Sequence, residues 1–276
     1  LAGSGKAGAD GVARPDGNQP PVRLDLPNNI LGLHYLIALR RLDSRIRPFT
    51  IPRLKAGYHE ETPSDGAIAS ATAIRKLIAA AGVQAAAPYV PQVTLDILQR
   101  EMTAGRAPMS WERYWPQIAA SLLVLSPDEL GNLYEMQEGL EHRFLQAMRQ
   151  LPPDQTPGVH ALLQLAKTKR YTHVKLQRAL VSILLNRQKH DYTREKLASG
   201  PSHIRVLGFS SRGRELLRRM KQTARLPVIT NVSREHGEAM ERDIRATAAY
   251  ALGYDQTSPR DWFRDYYEAP LTVKKV

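Results

Sequence analysis

The 276-residue chain contains no cysteine. That one absence removes disulfides, thiolate nucleophiles and cysteine-based zinc sites together, and it accords with a cytoplasmic protein. No stretch of eighteen apolar residues occurs, so nothing in the sequence spans a bilayer. The first residues show no basic segment followed by an apolar one of the kind that marks a secretory leader. Acid is in short supply: 39 Lys and Arg face 27 Asp and Glu, a formal charge of +12. Such a chain is drawn to polyanions, nucleic acid first and acidic membrane second.

The opening LAGSGKAGADGVARPDGNQPP has almost no large apolar residue, and residues 1–21 are expected to be a disordered Gly/Ala/Pro-rich lead. Its GSGK is not a phosphate loop, because the spacing is wrong, Ala7 stands where Ser or Thr is required, and no strand precedes it. The chain begins with Leu1 rather than Met, which suggests sequence upstream. From Val22 order is expected. Asn28 and Asn29 can cap a helix with an apolar face of Ile30, Leu33, Leu36 and Ile37, and Pro27 fits just before such a start. RIRPFTIPRL then alternates like a short edge strand, and KAGYHEETPSDG follows as a polar loop.

GAIASATAIRK, Gly66 to Lys76, comes next and admits two readings. Ser70 is a good N-cap, and Ile74, Leu77, Ile78 and Ala81 recur at helical spacing, so a helix from about Ala71 to Ala81 is expected. It is either an ordinary capped helix with a surface arginine or a seat for phosphates, where free N–H groups, Ser70, Thr72 and Arg75 meet an anion.

Beyond APYVPQ the pattern is almost continuously helical, with helices expected over Gln92–Ala104, Trp111–Leu125, Gly131–Gln150, Gly158–Thr168, Thr172–Arg187 and Glu235–Leu252. HIRVLGF and RLPVITNV flank the helical RGRELLRRMKQTA, which predicts a small strand–helix–strand unit. Positions 161–189 carry no acid but seven cations: Lys167, Lys169, Arg170, Lys175, Arg178, Arg187 and Lys189. On a helix Lys175, Arg178 and Ser182 share one side, opposite a stripe of Leu176, Leu180, Ile183 and Leu184. A solvated basic face is the bland explanation; nucleic-acid contact is favoured by the lack of any compensating acid. Tyr171 and His173 could stack on unpaired bases, which points to structured RNA more than to duplex DNA.

PNNILGLHYL, AIASATAIRK, LAKTKRYTHVKLQRALVSILL, IRVLGFSSRGRELL and LPVIT, in that order, resemble the bacterial tRNA(Met) cytidine acetate ligase family of the nucleotidyltransferase superfamily, from about Leu26 to about Tyr254. The resemblance implies a mainly α chain. The closing segment of a Rossmann-like α/β nucleotidyltransferase domain (22–90) would be followed by a helical tRNA-binding domain (91–276) containing the strand–helix–strand unit. It also implies an enzyme that activates acetate with ATP, accompanied by magnesium, to acetyl-adenylate. The acetyl group then passes to the wobble cytidine of elongator tRNA(Met). Asn28, Arg53, Ser70, Thr72 and Arg75 would then contact ATP, and Lys167, Lys169, Arg170, Tyr171, Lys175, Arg178 and Arg187 would contact tRNA. The resemblance decides the SATAIR stretch in favour of a phosphate seat. Arginine suits it, because its planar fork binds two oxygens where negative charge gathers.

One departure stands out. The His-x-Gly-His motif that opens such domains is absent, and the eight histidines are scattered. Either the chain is the carboxyl-terminal part of a longer protein or it is a truncated product, and on its own it is expected to bind ATP weakly and to form little acetyl-adenylate. His59, Glu60 and Glu61 are weak candidates for acid–base or metal work, and no metal ligand is assigned. The alternative function is a non-catalytic RNA-binding remnant of the family. A small-molecule adenylyltransferase would leave the acid-free segment unexplained.

Overall fold

Apolar residues recur at three- and four-residue spacing through most of the chain, and the protein is mainly helical accordingly. The computed structural model describes residues 27–51 and 68–273. The chain divides into two units, Leu1–Ala56 and Gly57–Val276.

In the first unit the described residues form helix α1 (Pro27–Arg41). Pro27 is its first residue rather than the one before the cap. Proline has no N–H to lose at that position and its φ is already helical, so Asn28 and Asn29 lie within the first turn instead of capping it. The strand expected over RIRPFTIPRL is not formed in the described part: Arg45–Ile51 has no regular structure, and no strand pairs with it among the described residues. Pro48 lacks the N–H that a ladder needs. The lead 1–21 lies outside the described residues.

The second unit opens with α2 (Ala71–Ala81), a 3₁₀ segment at Val83–Tyr89 and α3 (Gln92–Thr103). Val83, Ala86 and Leu95 form a small buried cluster, with Ile74 and Ile78 of α2 packed on it. The main core follows. It is built by α4 (Trp115–Val124), α5 (Pro127–Gly131), α6 (Leu140–Arg149), α7 (Val159–Ala166) and α8 (His173–Leu184), around Ile118, Phe144, Leu162, Leu176 and Leu180. The continuous helix expected over Gly131–Gln150 is broken. Glu135 (φ 71°), Glu138 (φ 62°) and Gly139 (φ 82°) are left-handed, which an α-helix cannot accommodate, so 132–139 is an irregular loop.

Helix α9 (Arg194–Ala198) leads to β1 (Ile204–Arg205), β2 (Gly208–Ser210), α10 (Ser211–Thr223) and β3 (Val228–Ile229). Then come α11 (Gly237–Ala251), α12 (Pro259–Trp262), α13 (Arg264–Tyr267) and β4 (Leu271–Val273). Strand β1 pairs in parallel with β3 across α10, which is the expected strand–helix–strand unit; β2 pairs in parallel with β4, a partner that sequence patterning did not announce. Ile229, Val232, Met240 and Ile244 pack β3 onto α11. No described helix is long and apolar enough to cross a membrane.

Candidate functional site

Ser70 begins α2 as anticipated. It is buried, its backbone is extended, and its Oγ accepts from the Ala73 N–H at 3.0 Å. Its carbonyl accepts from the Ile74 N–H. The amides of Ala71 and Thr72 have no partner among the described residues, so the helix keeps donors for an anion. Thr72 is half-buried and Arg75 exposed, both within the first turn and a half. There is no acidic residue in that turn. Asn28 sits exposed in the first turn of α1. Arg53, His59, Glu60 and Glu61 lie outside the described residues.

The basic segment is arranged differently from its reading as a free cationic face. Helix α8 buries Leu176, Leu180 and Ile183 as its spacing requires, and Thr172 caps it. Its cations, however, meet acids from the irregular loop 132–139. Glu138 Oε2 lies 3.0 Å from both Arg170 Nε and Lys175 Nζ, and Glu135 faces Arg178 at 3.2 Å. The Lys175 ammonium and the Arg170 guanidinium hold the Glu138 carboxyl below the usual carboxylate range, and Glu138 in turn raises Arg170. Lys189 donates to the Gly131 carbonyl. Arg187 lies over two stacked rings, 5.0 Å from the Tyr134 centroid and 4.3 Å from that of Tyr192. Lys167 and Lys169 are exposed, with no acidic partner among the described residues.

Tyr171 is 7% exposed; its ring belongs to the core and its hydroxyl donates to the Glu138 carbonyl, so it is not offered to a base. Ser182, assigned to the cationic side, is fully buried and donates to the Arg178 carbonyl. His173, the first residue of α8, is exposed. Glu135 and Glu138 escape a sequence reading that runs one helix through 131–150, because their position depends on the loop at 132–139. Gly139, a breaker inside the expected helix, was the available signal.

What holds the basic turn is the short helix before it. The carboxylate of Glu112 accepts from the Val159 N–H at 2.9 Å and the His160 N–H at 2.8 Å, closing the start of α7. At its other end Arg143 Nε donates to the Ala166 carbonyl at 3.1 Å, and its Nη2 donates to that of Leu165. Thr168 and Tyr171 then exchange two hydrogen bonds, which puts Lys169 and Arg170 at the tip of a tight turn.

A cavity of about 830 Å³ lies among Arg106, Arg205, Tyr250, Tyr254, Arg264 and Asp265. Its arginines are already matched: Arg106 to Glu101 at 2.6 Å, Arg205 to Asp265 at 2.9 Å, Arg264 to Glu268 at 2.6 Å. With each charge neutralised in place, this cavity has no surplus attraction for an anion.

The profile of the HIGH nucleotidyl transferase family matches residues 10–264. Among curated relatives, the tRNA(Met) cytidine acetate ligase of Lysinibacillus sphaericus is 35% identical over 256 residues, 91% of this chain and 61% of its own length. That of Listeria monocytogenes is 38% identical over 226 residues, 82% of this chain and 54% of its own. The chain thus spans about six tenths or less of the lengths of these relatives. Thermotoga maritima TmcAL in its apo form is similar at a TM-score of 0.80 and 28% identity, covering 91% of this chain and 62% of that one. The same protein bound with α-thio ATP gives 0.76 and 27%, covering 91% and 61%.

Proposed function

We propose, from the premise that the chain belongs to the HIGH nucleotidyl transferase family, that it serves an ATP-dependent acetate ligase acting on elongator tRNA(Met). In this reading an acetate oxygen attacks the α-phosphorus of ATP and pyrophosphate leaves. The wobble cytidine amine then attacks the acetyl carbonyl carbon, loses a proton and releases AMP. The observation that carries the reading is the fold likeness to the Thermotoga maritima protein described as bound with α-thio ATP.

Thr72 and Arg75 hold phosphate oxygens at the start of α2, and Ser70 fixes the turn that aims them. Asn28 and Arg53 are the remaining nucleotide contacts. The exposed cations of the 167–189 segment, Lys167 and Lys169 foremost, hold the tRNA backbone, with Arg170, Lys175, Arg178 and Arg187 behind them. The domain roles follow: 22–90 serves the nucleotide and 91–276 the tRNA. Among the described residues no group of three or more His, Asp or Glu is gathered to hold a metal ion; in this reading magnesium accompanies ATP as the counter-ion of its phosphates.

The test separates binding from folding. With the family's amino-terminal segment restored, Arg75→Ala is expected to weaken ATP binding about tenfold or more, the loss of a charge-assisted hydrogen bond, with the melting temperature nearly unchanged. Ser70→Ala should lower the melting temperature with a smaller effect on ATP. ATP affinity that ignores Arg75→Ala reduces SATAIR to an ordinary helix start. The second reading is RNA binding without chemistry, carried by the cations of the 167–189 segment, which need no nucleotide. Acetate-dependent pyrophosphate release by the chain with the family's amino-terminal segment restored decides between them.

A further inference from the structure

Helix α10 and the residues just after it carry Arg212, Arg214, Arg218, Arg219, Lys221 and Arg225 against one acid, Glu215. All six cations are exposed. Among the described residues none has a carboxylate within ion-pair distance, in contrast to Arg170, Lys175 and Arg178, which pair with Glu138 and Glu135. The helix has no fully buried residue: Leu217 and Met220 are half-buried on one side, Arg214, Arg218 and Lys221 lie on one exposed flank, and Arg212 and Arg219 lie on the other with Glu215 between. Arg214, Arg218 and Lys221 follow one another at helical spacing of four and three. They form a ridge about 10 Å long at ~1.5 Å per residue. Ser210 caps the helix through the Gly213 N–H at 3.2 Å, and the Arg214 guanidinium lies 5.8 Å from the centroid of the Phe209 ring.

We propose that this ridge is the principal surface on which the chain receives an RNA backbone, and that the 167–189 segment is the lesser contact. The inference rests on the RNA-binding reading above and relocates its centre. The argument is electrostatic. A cation already paired must lose its acid before it can gain a phosphate, whereas an unpaired one releases a counter-ion from the RNA directly. A flexible polyanion suits a curved row of long side chains with no cavity among them, and Arg presents a two-pronged donor to each phosphate.

The experiment measures affinity of the 276-residue chain for a fluorescently labelled elongator tRNA(Met) transcript across a salt titration. The variant R214Q/R218Q/K221Q is compared with K169Q/R170Q/R178Q and with R214K/R218K, which keeps the charge. Melting temperatures confirm that the exposed substitutions leave the fold intact. The ridge variant should bind at least about tenfold more weakly near 0.1 M salt, with a log–log slope shallower by about 2 to 3 units. The 169/170/178 variant should lose less, and the lysine variant should keep the wild-type slope. An unchanged slope in the ridge variant overturns the proposal. So does loss of binding to phosphatidylserine-containing vesicles with tRNA affinity retained, which would make α10 a membrane surface. A wild-type chain that does not bind the transcript refutes the RNA reading itself, and this inference with it.

Discussion

Gly158 and Glu112 make a testable pair. A Cβ built on Gly158 would lie 2.3 Å from Glu112 Oε2, so any larger residue must push the carboxylate off the two amides it caps. The backbone at Gly158 (φ −157°, ψ 170°) is ordinary extended chain that alanine adopts freely. The cost of Gly158→Ala therefore arises at Glu112 and not in the backbone. Glu112→Ala removes the cap outright and should destabilise by about 1–2 kcal/mol. Gly158→Ala should cost about 1 kcal/mol, the same lost cap less the few tenths to ~1 kcal/mol gained by stiffening the unfolded chain. Once the carboxylate is gone the clash is gone, so the double variant should be no worse than Glu112→Ala alone. Urea denaturation of the four proteins closes the cycle, with an expected coupling of about 1–2 kcal/mol. Costs that add to within ~0.5 kcal/mol would show that Glu112 does not cap α7 in solution.

Burial pushes the Tyr114 hydroxyl up to about 12. A raised folded value means that its contribution is whole below the unfolded value of about 10 and is lost as pH rises through the folded one, so Tyr114→Phe should blunt alkaline unfolding over that window. If wild type and variant lose stability identically, the ring is not buried as described. Glu101 behaves oppositely: the hydrogen bond from Arg106 at 2.6 Å holds its carboxyl below the usual range. That contribution is present above the unfolded value and lost as pH falls through the folded one. Glu101→Gln should therefore flatten the acid limb of a stability profile, and an unaltered limb would show the pairing to be idle.

What was legible in the sequence was what neighbours in the chain decide. Ser70 before an amphipathic run located the start of α2 to the residue, and the Leu176, Leu180, Ile183 stripe located the buried side of α8, since both signals lie within a few turns of helix. The pairing of Arg178 with Glu135 and of Arg170 and Lys175 with Glu138 was not legible, because it depends on a loop that folds back over the helix. An acid-free stretch of sequence thus became a partly neutralised surface. Alternation misled at Arg45–Ile51 and succeeded at β1 and β3, where a partner strand sits across α10. The capping of α7 from Glu112 gave no signal at all, since one glutamate in WERY resembles any other.

The pairing of β2 with β4 has a consequence for synthesis. Strand β2 ends at Ser210, the residue that caps α10, and its ladder runs from Gly208 opposite Leu271 to Ser210 opposite Val273. A ribosome delivers α10 long before it delivers β4. Until Val273 has emerged, the segment that launches the basic helix has no sheet partner from β4, whereas the β1–β3 pair can already close. At ~5–20 residues per second the interval lasts several seconds, on a particle that is itself largely RNA. The long crossover therefore sets an order: the β2–β4 ladder beside the cap of α10 can close only after nearly all of the described chain has been made.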